Sequence, residues 1–260
     1  MKSHLRGPDF VMFVVFGGAA AFGCSAGDAE DYEVVGETQQ ALVDPDIQRC
    51  MVSGLNVIVG TPNSETITGT QGADCIAALG GQDVVNALGG NDIVLGGEGD
   101  DLLNGGDGDD DMDGGGGQDV LNGGNGNDRR LVGGEGDDRI FGGPGNESIL
   151  GGPGQDRLFG EDGNDGIFGD EGDDVVSGGP GEDSVLGGPD NDRVSGDDGN
   201  DPTVQGDSGD DVLLGGNGND NIGGDCFSHD RIDGGPGTDT CSFDPDNTTA
   251  VSCETLSLCP

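Results

Sequence analysis

Tryptophan is absent from this 260-residue chain, tyrosine occurs once and aromatic residues make up 4% of it. A core built on large rings is therefore excluded. Basic residues are also scarce: 9 Lys and Arg stand against 52 Asp and Glu, a formal net charge of −43. Phosphate recognition needs clustered Lys and Arg, so the composition argues against nucleic acid as a partner. Long apolar runs are missing. The one apolar stretch, Phe10 to Phe22, is too short for a spanning helix, which needs about 20 apolar residues. Abundance lies elsewhere, in 58 glycines that follow no three-residue collagen period. Charge alone would place such a chain among disordered acidic segments. It repels itself unless cations cancel the charge.

Periodicity argues against disorder. From Gly60 to about Phe243 the chain repeats every nine residues as Gly-Gly-x-Gly-x-Asp-x-U-x, with U apolar. The units GGEGDDLLN, GGDGDDDMD and GGGGQDVLN follow one another from Gly96, Gly105 and Gly114. A fixed short period means stacked equivalent turns. The units starting at Gly123, Gly196 and Gly224 each carry one extra residue, after which the frame resumes; counting through them gives 20 units. An unphased acidic tail would not keep an apolar residue two places after each acid.

Nine residues suit one short strand and one tight turn. In the strand x-U-x, alternation turns the middle side chain inward. The inward column is Ile67, Ile76, Val85, Val94, Leu103, Met112, Leu121, Leu131, Ile140, Ile149, Leu158, Ile167, Val176, Val185, Val194, Val204, Leu213, Ile222, Ile232 and Cys241. Every member is apolar, and its β-branched bias favours strands. Positions one to six form the turn, where glycine allows positive φ or close approach. Asp and Asn recur at position five, as in Asp100, Asn127, Asn164 and Asn219, and are read as the residues that best tolerate the left-handed conformation. Two units would make one coil with a strand on each side. Stacked at about 4.8 Å, ten such coils would form a body on the order of 50 Å long.

The sixth position carries the chemistry. It is Asp74, Asp83, Asp92, Asp101, Asp110, Asp119, Asp128, Asp138, Asp156, Asp165, Asp174, Asp183, Asp192, Asp201, Asp211, Asp220, Asp230 and Asp239, with Glu65 and Glu147 as the exceptions. Stacking sets these acids in columns beside turned-in carbonyls. Hard oxygen ligands in a flexible cage select Ca²⁺ over Zn²⁺ or copper, and Mg²⁺ demands a small octahedron. Other motifs are absorbed by the frame. Gly206-Asp207-Ser208-Gly209 looks like a serine-protease nucleophile loop but falls in phase as a turn. Asp109-x-Asp111-x-Asp113 opens like an EF-hand, yet its twelfth place is Val120 rather than Glu. Repeated GxGxxG matches lack a surrounding βαβ unit.

These units resemble the RTX, or hemolysin-type, calcium-binding repeat, over residues 60–243. The resemblance implies an all-β, right-handed parallel β-roll solenoid with several Ca²⁺ held between turns by the sixth-position aspartates and glycine-turn carbonyls. Family members usually carry a large catalytic or pore-forming region and an uncleaved C-terminal export signal. Neither is legible here.

The flanks complete the division. Lys2 and Arg6 precede the apolar stretch in the proportions of a secretory signal, residues 1–23. Its end, Ala21-Phe22-Gly23-Cys24, resembles a bacterial lipoprotein processing site, which implies lipidation at Cys24; an ordinary cleaved signal is the other reading. Residues 24–49 read as a flexible acidic tether, 50–59 as a cap strand, and 244–260 as a Cys-containing cap on the open end. Setting Cys24 aside, Cys50, Cys75, Cys226, Cys241, Cys253 and Cys259 remain. An even count in an exported chain suggests disulfides. Cys50–Cys75 is the natural first pair; Cys241–Cys253 with Cys226–Cys259 is one of three connectivities for the rest. Zinc is the competing reading, without any CxxC pair to support it.

The expectation is an exported calcium-binding repeat protein without catalytic activity, with disulfide-bearing ends and a structural or interaction role. Its lipid anchor would hold it to a membrane, at the outer membrane or cell surface, or it would be extracellular; the periplasm is a further possibility. Cell-surface polysaccharide or protein are candidate partners. The alternatives are the accessory calcium-binding module of a secreted hydrolase or epimerase, and a surface adhesion or matrix protein.

Overall fold

The computed structural model describes residues 45–225, 228–243 and 249–258. The signal segment, Cys24, most of the tether, Cys226 and Cys259 lie outside the described residues. Among the described residues one helix, α1 (Pro45–Ser53), precedes 23 strands running from β1 (Asn56–Val59) to β23 (Thr255–Leu258). The odd-numbered strands form a 12-stranded sheet and the even-numbered strands an 11-stranded sheet. Each strand pairs in parallel with the strand two places on, as in Val94↔Met112 and Leu103↔Leu121. Eighteen residues therefore make one coil. The inserted residue after Asp128 shifts the register by one, giving Asp111↔Arg130, and pairing then continues.

Between the sheets lies a single-file core. All 20 expected inward side chains, Ile67 through Cys241, are buried, with relative exposure of 7% or less. Position seven and position nine face outward on either side of each.

Both ends of the roll extend beyond the repeat. Strands β1, β22 (Thr249–Val251) and β23 continue the sheets, with Ile58↔Ile76, Ile232↔Ala250 and Cys241↔Leu256. The solenoid therefore has about eleven coils rather than ten. Parallel pairing needs only backbone and an inward apolar residue, so a segment without the glycine turn can still add a rung. A second difference lies at the N-terminal boundary. A tether to residue 49 and a cap strand from residue 50 are replaced by α1, and the strand begins at Asn56. Pro45 suits a helix start, and Gly54, at φ 79°, suits its termination. Ile47 and Cys50, three residues apart, pack with Cys75, Ala77 and Leu95 on the outer face of the odd sheet. Disulfides join Cys50 to Cys75 and Cys241 to Cys253, one near each end.

Glycine is required because the coils stack closely. A Cβ on Gly99, whose φ is 119°, would lie 1.8 Å from the carbonyl oxygen of Gly81. Position five needs a different explanation from the one its composition suggests. None of Asp100, Asn127, Asn164 and Asn219 has positive φ; the left-handed non-glycine residues include Leu79, Leu88, Asp170, Asp190 and Asp197, at positions two and four. Position-five side chains instead accept backbone N–H groups from the next coil. Gln118 donates to Asp100 at 3.0 Å and Asn146 to Asn127 at 3.0 Å.

Candidate metal centre

Each strand is entered through a turn whose sixth residue points back under the coil. Turns entering the odd sheet carry Asp74, Asp92, Asp110, Asp128, Glu147, Asp165, Asp183, Asp201, Asp220 and Asp239. Those entering the even sheet carry Glu65, Asp83, Asp101, Asp119, Asp138, Asp156, Asp174, Asp192, Asp211 and Asp230. All 18 aspartates and Glu147 are buried, with exposure of 4% or less.

Burying so many carboxylates without counter-charge is costly, and the structure satisfies only half of each group. From Asp83 to Asp239, every sixth-position Asp uses Oδ1 to accept the N–H of its counterpart one coil earlier. Asp101 accepts from Asp83 at 2.8 Å, Asp119 from Asp101 at 2.7 Å and Asp239 from Asp220 at 3.0 Å. Oδ2 of those same 17 residues is buried and has no hydrogen-bond partner. In 15 of the 17, from Asp101 to Asp239, Oδ2 borders a cradle beside the first glycine of its own turn; the turns of Asp83 and Asp92 begin with Ala78 and Ala87 instead. A Cβ added at Gly96 would lie 2.6 Å from Asp101 Oδ2 and 2.5 Å from the carbonyl oxygen of Gly114 in the next coil. The same arrangement recurs at Gly105, Gly114, Gly123 and Gly133. Among the described residues no three acidic, imidazole or thiol groups converge on one point. A bound ion would therefore take carboxylate and carbonyl oxygens together, the donor set that suits a hard cation such as Ca²⁺.

Electrostatics point the same way. Desolvation, opposed by the backbone hydrogen bond and reinforced by neighbouring carboxylates, pushes Asp110, Asp119, Asp156, Asp174 and Asp183 up to about 7 and Asp192 to about 8. Asp101, Asp128, Asp138, Asp201 and Asp211 rise to about 6. The carboxylates resist ionisation together, as expected where a cation is part of the design.

Three sixth-position residues differ. Asp74 has both oxygens engaged, Oδ1 with the Asn56 amide and Oδ2 with the Thr70 N–H, each at 2.5 Å. Glu65 folds back onto the N–H of Thr61 in its own turn. Glu147 leaves both carboxylate oxygens buried without a partner in hydrogen-bond geometry, although Asp128 and Asp165 lie close by. Its extra methylene breaks the ladder between those two aspartates.

Sequence reasoning missed the column's ends. Glu254 accepts the Asp239 N–H at 2.7 Å and so extends the odd column into the tail. Glu254-x-Leu256 has the Asp-x-U spacing, and so does Asn56-x-Ile58. That local signal was available without the glycines. His229, which could have served a catalytic or zinc reading, is exposed and pairs with Asp210 at 3.4 Å.

A parallel β-solenoid with one half-satisfied carboxylate in almost every turn defines a class of cation-binding repeat. The family model of the RTX calcium-binding nonapeptide repeat matches residues 59–94, 95–129, 130–158, 141–176, 168–201, 203–225 and 228–250. The matches span more than half of the chain, which belongs to that family and is a calcium-binding repeat protein. No curated protein matches the chain.

Proposed function

We propose that this protein is an exported, lipid-anchored β-roll that completes its fold by binding several Ca²⁺ ions, and that its role is structural or adhesive rather than catalytic. The carrying observation is the set of 17 buried, unpartnered Oδ2 atoms, 15 of them beside glycine cradles. Asp83, Asp92, Asp101 and their successors to Asp239 would hold the ions, with carbonyls of first-position residues such as Gly114. Calcium supplies the positive charge that these columns lack. The chain's own part is to aim one oxygen per turn into the cradle and to fix the other oxygen on the preceding coil.

Calcium-driven folding follows from linkage: ions that bind a site absent from the unfolded chain stabilise the folded one. Inside a cell, where Ca²⁺ is scarce, the columns repel and the chain stays expanded; outside, it folds. The signal-like residues 1–23, Cys24 and the two disulfides support export. Circular dichroism of the mature protein, with and without chelator, tests the calcium step. Strand content should collapse on chelation at neutral pH, and equal strand content in both conditions would refute it. Native mass spectrometry of the same samples reads the ion count and the lipid mass on Cys24.

A further inference from the structure

The outer face of the even sheet breaks the chain's charge rule. Its position-seven row pairs Arg139 with Arg157, Arg157 with Val175, Val175 with Arg193, Arg193 with Val212 and Val212 with Arg231. Four of the chain's 9 basic residues thus stand in one line. The row continues through Val120, Leu102, Val84 and Thr66 on one side and Thr249 on the other, and contains no acid. In the parallel position-nine row, from Thr68 to Val251, Asp233 is the single acid. In a chain with 52 acidic residues this face has been kept nearly free of them.

The four arginines are also uncommitted. All are exposed, and among the described residues none forms an ion pair, whereas Arg49, Arg129 and Arg130 all do. Phe141 and Phe159 stack at 5.2 Å between centroids and wall one side of the Arg139–Arg157 pair, with the Arg139 guanidinium 5.9 Å from the Phe141 ring. That contact orients a planar fork made for bidentate carboxylate recognition.

We infer that this face binds a linear acidic polysaccharide, with the uronate carboxylates on Arg139, Arg157, Arg193 and Arg231 and sugar C–H groups against Phe141 and Phe159. Charge spacing selects this ligand. Rungs lie about 4.8 Å apart, so the row offers at most one cation per rung, matching a polymer with one carboxylate per ring. A nucleic-acid duplex carries one charge per roughly 1.7 Å and would press its excess against the acidic turns flanking the row. The inference extends the adhesive reading by naming a face and a ligand class.

The test is calorimetric titration of the calcium-saturated full chain with short oligogalacturonates that do not gel. Neutral maltooligosaccharide, a DNA oligonucleotide and anionic phospholipid vesicles form the other arms. Oligogalacturonate should bind, weaken with salt, and lose roughly tenfold or more in affinity in the R139Q/R157Q/R193Q/R231Q variant. The four sites are exposed, so fold and bound calcium should be unchanged. Unaltered affinity in the variant would mean that turn-bound calcium bridges the polymer, and would overturn the assignment. So would binding of DNA or vesicles without oligogalacturonate, or no binding in any arm. Calcium count and circular dichroism on the same samples separate failure of this proposal from failure of the calcium reading.

Discussion

The coils from Val84 to Glu135 and the coils from Arg139 to Phe168 share a motif but not a structure. In the first region each strand has 6 residues and runs into the following turn. In the second each has 3. Pro144 and Pro153 sit at the third position of turns there, but Pro180 and Pro189 hold the same position at the ends of six-residue strands, so proline alone does not shorten them. The same region holds Glu147, where the carboxylate ladder breaks. The comparison teaches that backbone bonds between turns, such as Gly145 N–H to the Asp162 carbonyl and Gly154 N–H to the Glu171 carbonyl, carry the roll through this stretch together with the inward packing. Ile140, Ile149, Leu158 and Ile167 there are as fully buried as the residues before them.

Protons should test the two regions most strongly, because they act on many turns at once. The buried aspartates have folded-state values above the ordinary 3.8, so in the metal-free chain protonation favours the folded state. Burial and the Asp165 carboxylate push Glu147 up to about 9, and the aspartates' penalty is complete above about pH 8, where even Asp192 is ionised. It should fall as pH drops through the range from about 8 to about 6, and nothing more is gained below the unfolded value of 3.8. Hydrogen exchange of chelated protein should therefore show protection returning on acidification, first around Glu147 and Asp192 and last around Asp101 and Asp138, which lie near 6. Protection that fell as pH was lowered from 8 to 6 would contradict the desolvation argument.

Substitution at glycine should next separate what the regions share, a tight turn position, from an open strand position. A Cβ on Gly108, at φ 136°, would lie 1.7 Å from the Gly90 carbonyl oxygen; one on Gly166 would meet nothing nearer than 4.0 Å. Gly108→Ala should cost about 2–4 kcal/mol by chemical denaturation in calcium. Gly166→Ala should be neutral or stabilise by up to about 1 kcal/mol, through the unfolded chain. Equal costs at the two sites would mean that coil spacing does not dictate the glycines.

How much of this was legible beforehand follows from what repeats. The inward column and the buried acids recur in phase, so the core from Ile67 to Cys241 and the ligand set from Asp83 to Asp239 could be read directly. Helix α1 could not, since only Ile47 and Cys50 mark its buried side and two residues make no period. Nor could the role of position five. Backbone preference marks Asp100 and Asn127 as left-handed, whereas their side chains bond to the next coil, a contact invisible until the stacking distance is known. Asp74 keeps the sixth position and its apolar partner Ile76 and still differs, because its neighbour on the open side is Asn56 rather than another aspartate. Glu254 shows the reverse case: the spacing was present, but the missing glycines hid it.

The smallest expected effect isolates Glu147. Shortening it by one methylene should let Oδ1 accept the Asp128 N–H, as Asp138 accepts that of Asp119 at 2.8 Å, and leave Oδ2 for the cradle at Gly142. Glu147→Asp should then raise the number of bound Ca²⁺ ions by at least one. It should stabilise the calcium form by about 1 kcal/mol, a shift in Tm of roughly 2–4 °C for a body of this size. The mirror change, Asp119→Glu, should lose an ion and about as much stability, because it imports the longer arm into the regular region. Ion counts by native mass spectrometry and paired melts decide the matter. If both variants kept the parent's ion number and Tm, the side-chain length at position six would not be what interrupts the column.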